Sequence, residues 1–400
     1  MGEREERERD AAGSAAAGRA DQLLGAPLGR QFVAGFVEAD LEGRLFGALG
    51  LGEVPGRATF TTCTEDGHAC VTRVRRRKRR EWHQVPPGEA RAVVGAAVAR
   101  GEWRRLGELT EQAALDELAQ VSESFGFNGG DTALWRLTAV AAEELRPVAE
   151  LLGGSRAATS WWEPVRRADQ RQLVWTGTGT GTGADGGLAG IEDVVRRAMA
   201  RERARYRKGR GRRPPKGARD LGATWWSAPD FAEGTWTTGA RAGLPAIELR
   251  GFIDTFAPFE DATATVRSLA VDERARVAEI RGPRDWQRLT ARFPRDVTRT
   301  HDGEWRTWGD VDGPWYLPDW AAVADHFDGV HVTVGGYLAS CGLAQPVEDG
   351  YTMLAGWVPD ATLWLRDVTT ASRRLGHWHG DPQDIADWED VLAGWTPDGG

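Results

Sequence analysis

The clearest alternation of hydrophobic and polar positions lies between residues 319 and 367. Asp319 is a good helix N-cap, and apolar side chains follow at helical spacing from Trp320 to Phe327. Valines then alternate with polar or small residues, the period-2 pattern of a half-buried strand. The pattern therefore predicts a helix that begins at residue 319 and a strand over residues 330–338.

Pairs of short apolar segments joined by turn residues predict three β-hairpins. The predicted strand pairs are 58–63 with 70–74, 265–271 with 275–280, and 351–357 with 361–366. The first pair is joined by Asp66-Gly67, which favours a two-residue turn and places Cys63 opposite Cys70. Single strands are predicted at 171–175, 223–227 and 246–249, and helices at 93–98, 103–120, 133–152, 191–207 and 283–293.

The order of these elements predicts an α+β protein. A mostly helical N-terminal region with one β-hairpin precedes a Trp-rich mixed-sheet domain with flanking helices. Four hundred residues favour two domains. The predicted division is a disordered tail at 1–20, a helical domain at 21–155, a connecting region at 156–219, an α+β domain at 220–380 and a C-terminal tail at 381–400. The first 20 residues are assigned to a tail because their charged composition buries little apolar area.

Composition narrows the class of protein. A hydrophobic content of 41% and a charged content of 28% are typical of soluble globular proteins. No apolar run approaches the ~20 residues that span a bilayer, so no membrane partner is expected. No apolar signal-peptide core follows the charged start, and three cysteines give no disulfide framework, so a cytoplasmic protein with reduced thiols is expected. The net charge of −8 argues against a protein that coats nucleic acid with its whole surface.

The first hairpin carries a candidate metal site. Cys63 and Cys70 are expected to face each other, and His68 near the turn could join them around Zn²⁺. The spacing is not C-x-x-C, however, and no fourth ligand is local. A hairpin with two small apolar thiols and a surface histidine is therefore the favoured interpretation, and zinc is not an expected cofactor.

The basic run at residues 73–80 follows this hairpin directly. Such a run supplies salt-dependent affinity for phosphates without sequence specificity, which predicts a nucleic-acid partner. The alternative is a solvated strand edge whose charges discourage pairing with other strands. Both interpretations stay open from the sequence.

The predicted strand at 330–338 has a polar-aromatic face. His331, Thr333 and Tyr337 share it, while the valines share the other face. Beside nearby tryptophans, which number 19 in the whole chain, such a face could line a cleft that stacks a planar ligand. The alternative is that the valine face packs in the core and the polar face meets water.

In chain order, these elements resemble the layout of ADP-ribosyltransferase-fold domains of bacterial effectors and toxins. The resemblance covers about 200 residues and is carried by short segments. They are the strand and helix at 171–207, Trp225-Trp226-Ser227, VRSLAVDERARVAEI, WAAVADHFDGVHV and DATLWLRD. It implies NAD as cofactor and transfer of ADP-ribose, a glycosyltransferase reaction, to protein or nucleic acid. A second resemblance, to uncharacterised actinobacterial proteins, implies no function.

The resemblance assigns roles at few positions. Ser227 matches a serine of the Ser-Thr-Ser strand, although the sequence here is Trp-Ser-Ala, and Trp226 would stack on the nucleotide. Asp360 stands where the family has its catalytic glutamate, whose carboxylate stabilises the positive charge that develops on the ribose. The basic residue expected within the first strand is not evident in RQLVWTG.

The leading hypothesis is therefore a nucleotide-binding protein that acts as an ADP-ribosyltransferase-like enzyme. Asp360 and Ser227 are its candidate catalytic residues, and Trp226, His331, Thr333 and Tyr337 are its candidate NAD-binding residues. The alternative is a non-enzymatic regulatory protein that contacts nucleic acid through the run 73–80 and a protein partner through a Trp-rich surface. A zinc-dependent N-terminal module is a third hypothesis.

Overall fold

The computed structural model describes most of the chain. The described residues are 2–37, 61–63, 70–72, 87–125 except 102, 104–105 and 107–108, 138–176, parts of 192–204, 225–229, 236–250 except 242, 262–309, 311–380 and 396–397. Helices and strands mix throughout this part, and β-strands predominate after residue 236. The predicted α+β class is confirmed. The boundaries predicted for the domains stay a prediction.

The N-terminal part is helical. Its helices are α1 (Gly2–Gly25), α2 (Pro27–Gly35), α3 (Pro87–Arg100), α4 (Glu111–Phe125), α5 (Ala142–Gly154) and the short α6 (Arg156–Thr159). Between α2 and α3, strands β1 (Thr61–Cys63) and β2 (Cys70–Thr72) pair antiparallel, and Cys63 lies opposite Cys70 as predicted. The helix predicted at 103–120 begins only at Glu111.

Helix α1 corrects the prediction of a disordered tail at residues 1–20. Its C-terminal half packs on α5, where Ala20 is fully buried and the Arg19 guanidinium donates to the Gly153 carbonyl at 3.0 Å. Asp21 accepts a hydrogen bond from Arg146 at 2.7 Å. The prediction rested on the charged composition and overlooked a row of small residues in α1, which lets α1 approach α5.

A four-stranded sheet lies at the centre of the C-terminal part. Its strands are β4 (Trp236–Thr237), β12 (Ala361–Trp364), β9 (Gly329–Val332) and β6 (Val277–Ile280), in that spatial order. Strand β12 is antiparallel to both neighbours, and β6 is parallel to β9. The parallel pair requires a long crossover, which consists of α7 (Pro283–Arg292), β7 (Pro294–Asp296), α8 (Thr298–Gly309), β8 (Tyr316–Pro318) and α9 (Trp320–His326).

A second four-stranded sheet uses β3 (Gln170–Thr176), β5 (Ala262–Val271), β13 (Thr369–Gly380) and β14 (Thr396–Pro397). Strand β5 pairs with β13 on one side and β3 on the other. Ala264 and Val266 of β5 belong to a small apolar cluster, while Leu269 and Val271 belong to the main core. This strand therefore contributes to two packing regions.

Two of the predicted hairpins are wrong. Strands β5 and β6 lie in different sheets, although three charged turn residues separate the segments predicted to pair. The strand predicted at 351–357 is replaced by a shorter one, β11 (Gly350–Thr352), which pairs with β10 (Gln345–Val347) instead of β12. In both cases a central strand, β5 or β12, pairs with strands that are more distant in the chain. Local turn residues carry no information about such partners.

The strand predicted at 330–338 is half right. Strand β9 ends at Val332, and Thr333 caps helix α10 (Val334–Ser340), its hydroxyl accepting from the Gly336 N–H at 2.9 Å. The helix starts close to β6, because the Thr333 N–H donates to the Ile280 carbonyl at 3.1 Å.

The predicted strand at 171–175 is confirmed, as are the helices at 283–293 and 319–327. Residues 247–250 form a 3₁₀ helix where a strand was predicted, and described residues 225–227 are not in a strand.

One apolar core includes side chains of both the N-terminal helices and the central sheet. Seven of its tryptophans are almost fully buried: Trp161, Trp286, Trp305, Trp315, Trp320, Trp357 and Trp364. Several meet edge to face, as Trp236 and Trp357 do with ring centroids 4.6 Å apart. The seven are therefore packing residues and do not form the predicted Trp-rich interaction surface.

The close approach of α10 to β6 gives a first testable prediction. A Cβ at Gly336 would lie 2.1 Å from the Ile280 carbonyl oxygen, so Gly336→Ala forces a backbone shift. We expect a loss of about 1–3 kcal/mol in the free energy of unfolding, measured by urea denaturation. Gly95→Ala in α3 is the control, since its nearest neighbour would be 3.7 Å away, and it should be neutral or stabilising. Equal effects of the two changes would contradict the close approach.

Candidate functional site

A row of polar side chains crosses the central sheet. Strand register aligns Thr237 with Thr362, Thr362 with His331, and His331 with Glu279, so the four residues occupy neighbouring positions on one face. The Glu279 carboxylate lies 2.7 Å from His331 Nδ1. Thr237 Oγ1 donates to Gln170 Oε1 at 2.5 Å and accepts from the Trp364 indole at 2.7 Å. Of the four residues in this row, His331 lines the candidate site.

Asp360 lies directly before β12 and close to His331 of this row. Its backbone has φ of 60°, a left-handed conformation that is uncommon for residues other than glycine. Arg241 holds its carboxylate with two hydrogen bonds, from Nε to Oδ2 at 2.8 Å and from Nη2 to Oδ1 at 2.9 Å. The Gly239 N–H donates to Oδ2 at 3.2 Å. A Cβ at Gly239 would be 2.5 Å from that oxygen, so this approach requires glycine.

Arg241 also connects the sheet to the helical part of the chain. Its Nη1 donates to Glu111 Oε1 in α4 at 3.2 Å and to Ser160 Oγ after α6 at 3.1 Å. The guanidinium is therefore shared between a carboxylate of the sheet and two acceptors of the helical region. A planar group with several fixed donors is suited to such a junction.

Cations and carboxylates meet around Asp360. We define the Asp360 cluster as Glu279, His331, Asp360 and Arg241. Burial alone would lower the pKa of His331, but Asp360 and Glu279 outweigh it and raise that pKa to about 9. His331 Nε2 is 3.6 Å from Asp360 Oδ1, too far for a hydrogen bond but close enough for charge attraction. Burial would raise the pKa of Asp360, yet Arg241 and His331 hold it well below its usual range. Arg241 and His331 thus face the carboxylates of Asp360 and Glu279, and Arg241 also contacts Glu111.

A small recess opens at this cluster. Its lining comprises Pro164, Arg166, Asp169, Gln170, Gly239, Ala240, Arg241, His331 and Asp360. Its free volume of about 10 Å³ is roughly the space that one water molecule needs. Drug-sized ligands occupy about 300–1,000 Å³. The recess in this conformation therefore has room for a water and not for a nucleotide.

Two of the predicted site residues meet here, and four do not. His331 and Asp360 line the same recess. Ser227 instead bonds the backbone of Ala355, donating to its carbonyl at 2.8 Å and accepting from its N–H at 3.1 Å. Thr333 caps α10, and Tyr337 is buried in that helix with its hydroxyl 3.4 Å from Ser122 Oγ.

Trp226 packs on the backbone at Gly356, where a Cβ would be 2.1 Å from its indole ring.

The prediction that His331, Thr333 and Tyr337 share one strand face is wrong. The strand ends at Val332, and the helix that follows directs the later side chains elsewhere.

Sequence reasoning missed Arg241, Glu279 and Gly239. Glu279 carried a signal, since a single acidic residue interrupts the apolar segment Val277–Ile280. Arg241 and Gly239 lie in an irregular stretch, where no periodic pattern marks a buried position. Their role depends on a contact with Asp360 about 120 residues later, and no local pattern predicts a contact of that range.

The other predicted sites lie largely outside the described residues. His68 and the basic run 73–80 fall there, while Cys63 and Cys70 are described only as strand positions. Within the described residues, no group of three or more His, Cys, Asp or Glu side chains could hold a metal ion. No helix in the described part of the chain is long and apolar enough to cross a membrane.

Comparison of the chain with protein-family models, with curated proteins and with solved structures finds no match.

The buried ion pair makes a prediction about stability. Asp360→Asn keeps the size of the side chain and tolerates the left-handed backbone, but it removes the buried carboxylate that pairs with Arg241 and leaves the more exposed Glu111 as its remaining anionic partner. We expect a loss of about 3–5 kcal/mol in the free energy of unfolding. Asp302→Asn, which breaks the exposed pair with Arg306, is the control and should cost about 1 kcal/mol or less. Similar losses in urea denaturation would show that the Asp360 pair is not buried in solution.

His331 should titrate far above an ordinary histidine. Its folded-state pKa of about 9 lies above the ordinary histidine value of 6.5, so protonated His331 stabilises the fold fully below pH 6.5. This stabilisation is lost as the pH rises toward 9. Imidazole C–H chemical shifts followed by NMR from pH 5 to 10, with the His331→Gln variant for assignment, measure the titration. A midpoint near 6.5 would contradict the cluster as described.

Proposed function

We propose that the recess at Asp360 is a ligand-binding site and that a nucleotide such as NAD is its ligand. The observation that carries this proposal is the meeting of His331 and Asp360, which the sequence marked independently as nucleotide-binding and catalytic candidates. The proposal includes the cytoplasm as the location of the protein.

Three further features support a site. Asp360 has a left-handed backbone, and strained positions of this kind cluster at functional sites. The pKa values of His331 and Asp360 are both displaced, as is common among groups that bind or react. Arg241 presents a planar guanidinium, a side chain that matches phosphate and carboxylate groups well.

Binding requires the recess to widen. The space for about one water must grow by more than an order of magnitude to admit a nucleotide. Gly239 and Ala240 line the recess in an irregular stretch directly after Thr238, which bridges to Arg171 of β3, so their displacement would strain that bridge and the Ile247–Gly239 hydrogen bond. Ligand binding is therefore expected to be coupled to a change in the Arg241–Asp360 contact.

The chemistry proposed for Asp360 is stabilisation of positive charge on the ribose as the bond to nicotinamide breaks. In the present arrangement Arg241 already offsets that carboxylate. Transfer of ADP-ribose to a protein or nucleic acid therefore depends on the ion pair opening far enough to free the Asp360 carboxylate. Binding is the first property to test.

The test is a calorimetric titration of the full chain with NAD. We expect saturable binding in or below the millimolar range that falls at least tenfold in Ala240→Trp, which fills the recess with an indole. Ala324→Trp, on the half-buried face of α9, is the control and should bind as the parent does. Absence of saturable binding at millimolar NAD would overturn the proposal, as would equal affinity in the recess variant. Transfer of labelled ADP-ribose is the second assay.

A second candidate function is favoured by the internal pairing of the cluster. Arg241 and Asp360 are hydrogen-bonded to each other, and Glu111 and Ser160 accept further hydrogen bonds from the guanidinium. The cluster therefore has the features of a structural junction. In that case the protein is a non-enzymatic regulatory protein, and the run 73–80 is its proposed contact with nucleic acid. A DNA or RNA mobility shift that weakens with salt, and that neutral residues at 75–80 abolish, is expected. Salt-independent affinity would contradict it.

A further inference from the structure

The hairpin of β1 and β2 places two of the three cysteines at directly opposite positions. The register pairs Cys63 with Cys70, followed by Thr62 with Val71 and Thr61 with Thr72. Opposite residues of an antiparallel pair have Cα atoms about 4.5–5.5 Å apart. Disulfides join residues whose Cα atoms are about 4.4–6.8 Å apart. The backbone register therefore meets the separation that a disulfide requires.

The third cysteine does not compete for either partner. Cys341 is fully buried in the main core, at the end of α10, where its N–H donates to the Tyr337 carbonyl at 2.9 Å. The hairpin cysteines are separated by residues 64–69 only, so they stay near each other even when the pairing of the strands fluctuates. A short loop gives each thiol a high local concentration of the other.

We propose that Cys63 and Cys70 are a redox-sensitive pair that forms an intrachain disulfide when the protein meets a disulfide oxidant such as oxidised glutathione. One cysteine thiolate attacks a sulfur of the oxidant, forms a mixed disulfide and releases one glutathione thiolate. The other thiolate attacks the protein sulfur of that mixed disulfide and releases the second glutathione. The protein loses two electrons and two thiol protons, and the oxidant gains them as two reduced glutathione molecules.

The bond would fix the pairing of β1 with β2 directly before the basic run 73–80. In a reducing compartment such pairs are oxidised only transiently, and their oxidation reports the local redox state. The pair is thus a modification site with a defined effect on the chain, since the bond closes a small ring of residues 63–70.

The experiment uses the full chain, equilibrated with oxidised glutathione in the presence of a chelator, then alkylated and weighed by mass spectrometry. We expect the oxidised protein to carry two alkyl groups fewer than the reduced protein alkylated in the same way, and to give a linked peptide that contains Cys63 and Cys70. Cys341→Ser is the matched control and should give the same linked peptide. Cys70→Ser should stop at the mixed disulfide, with one glutathionyl group on Cys63.

Dithiothreitol should restore all three thiols of the parent. Two separate glutathionyl groups on Cys63 and Cys70 would overturn the proposal, because the second attack would then have failed. A bond to Cys341, a bond between two chains, or persistence of both thiols in excess oxidant would overturn it as well.

Discussion

Arg241 and Asp360 meet where both side chains are less than a tenth exposed. Desolvating two charges costs several kcal/mol per ion, so the contact is stable only where hydrogen bonds complete both groups. Here the Gly239 N–H completes the carboxylate, and Glu111 and Ser160 complete the guanidinium. The requirement to satisfy one buried arginine thus fixes α4, the turn after α6 and the start of β12 relative to one another.

The same constraint explains the sheet around the cluster. Glu279 reaches His331 only because β6 runs parallel to β9 in a register that aligns the two residues. With Glu279 and Asp360 both near it, the imidazole is more stable as a cation, and its charge in turn lowers the cost of burying two carboxylates. Glu279, His331, Asp360 and Arg241 therefore form a coupled unit in which removal of one charge alters the protonation of the others.

Sequence reasoning found what local periodicity encodes. Asp319 as an N-cap, the helix that starts at Pro283, the valines of β9 and the opposition of Cys63 to Cys70 all follow from neighbours a few positions apart. The partners of β6 and β12, and the cluster residues Arg241 and Glu279, depend on contacts between residues 29 to 127 positions apart. The sequence predicted His331 and Asp360 as site residues without predicting their contact. His331 was assigned to a strand face that in fact ends at Val332. Asp360 was assigned to the turn of a hairpin that does not form.

Whether the cluster binds a ligand or joins two parts of the fold depends on the energy needed to separate Arg241 from Asp360. If opening costs about 3 kcal/mol, the open form is about one molecule in a hundred, and the apparent affinity of a ligand that needs it falls about a hundredfold. A nucleotide with a micromolar intrinsic Kd would then have an apparent Kd of about 0.1 mM. A ligand whose anionic group takes the guanidinium from Asp360 replaces one charge-assisted contact with another, so it avoids most of that cost. Of the ligands that the proposal allows, an anionic one would therefore need less opening energy than a neutral one, and a phosphate-bearing nucleotide meets that condition.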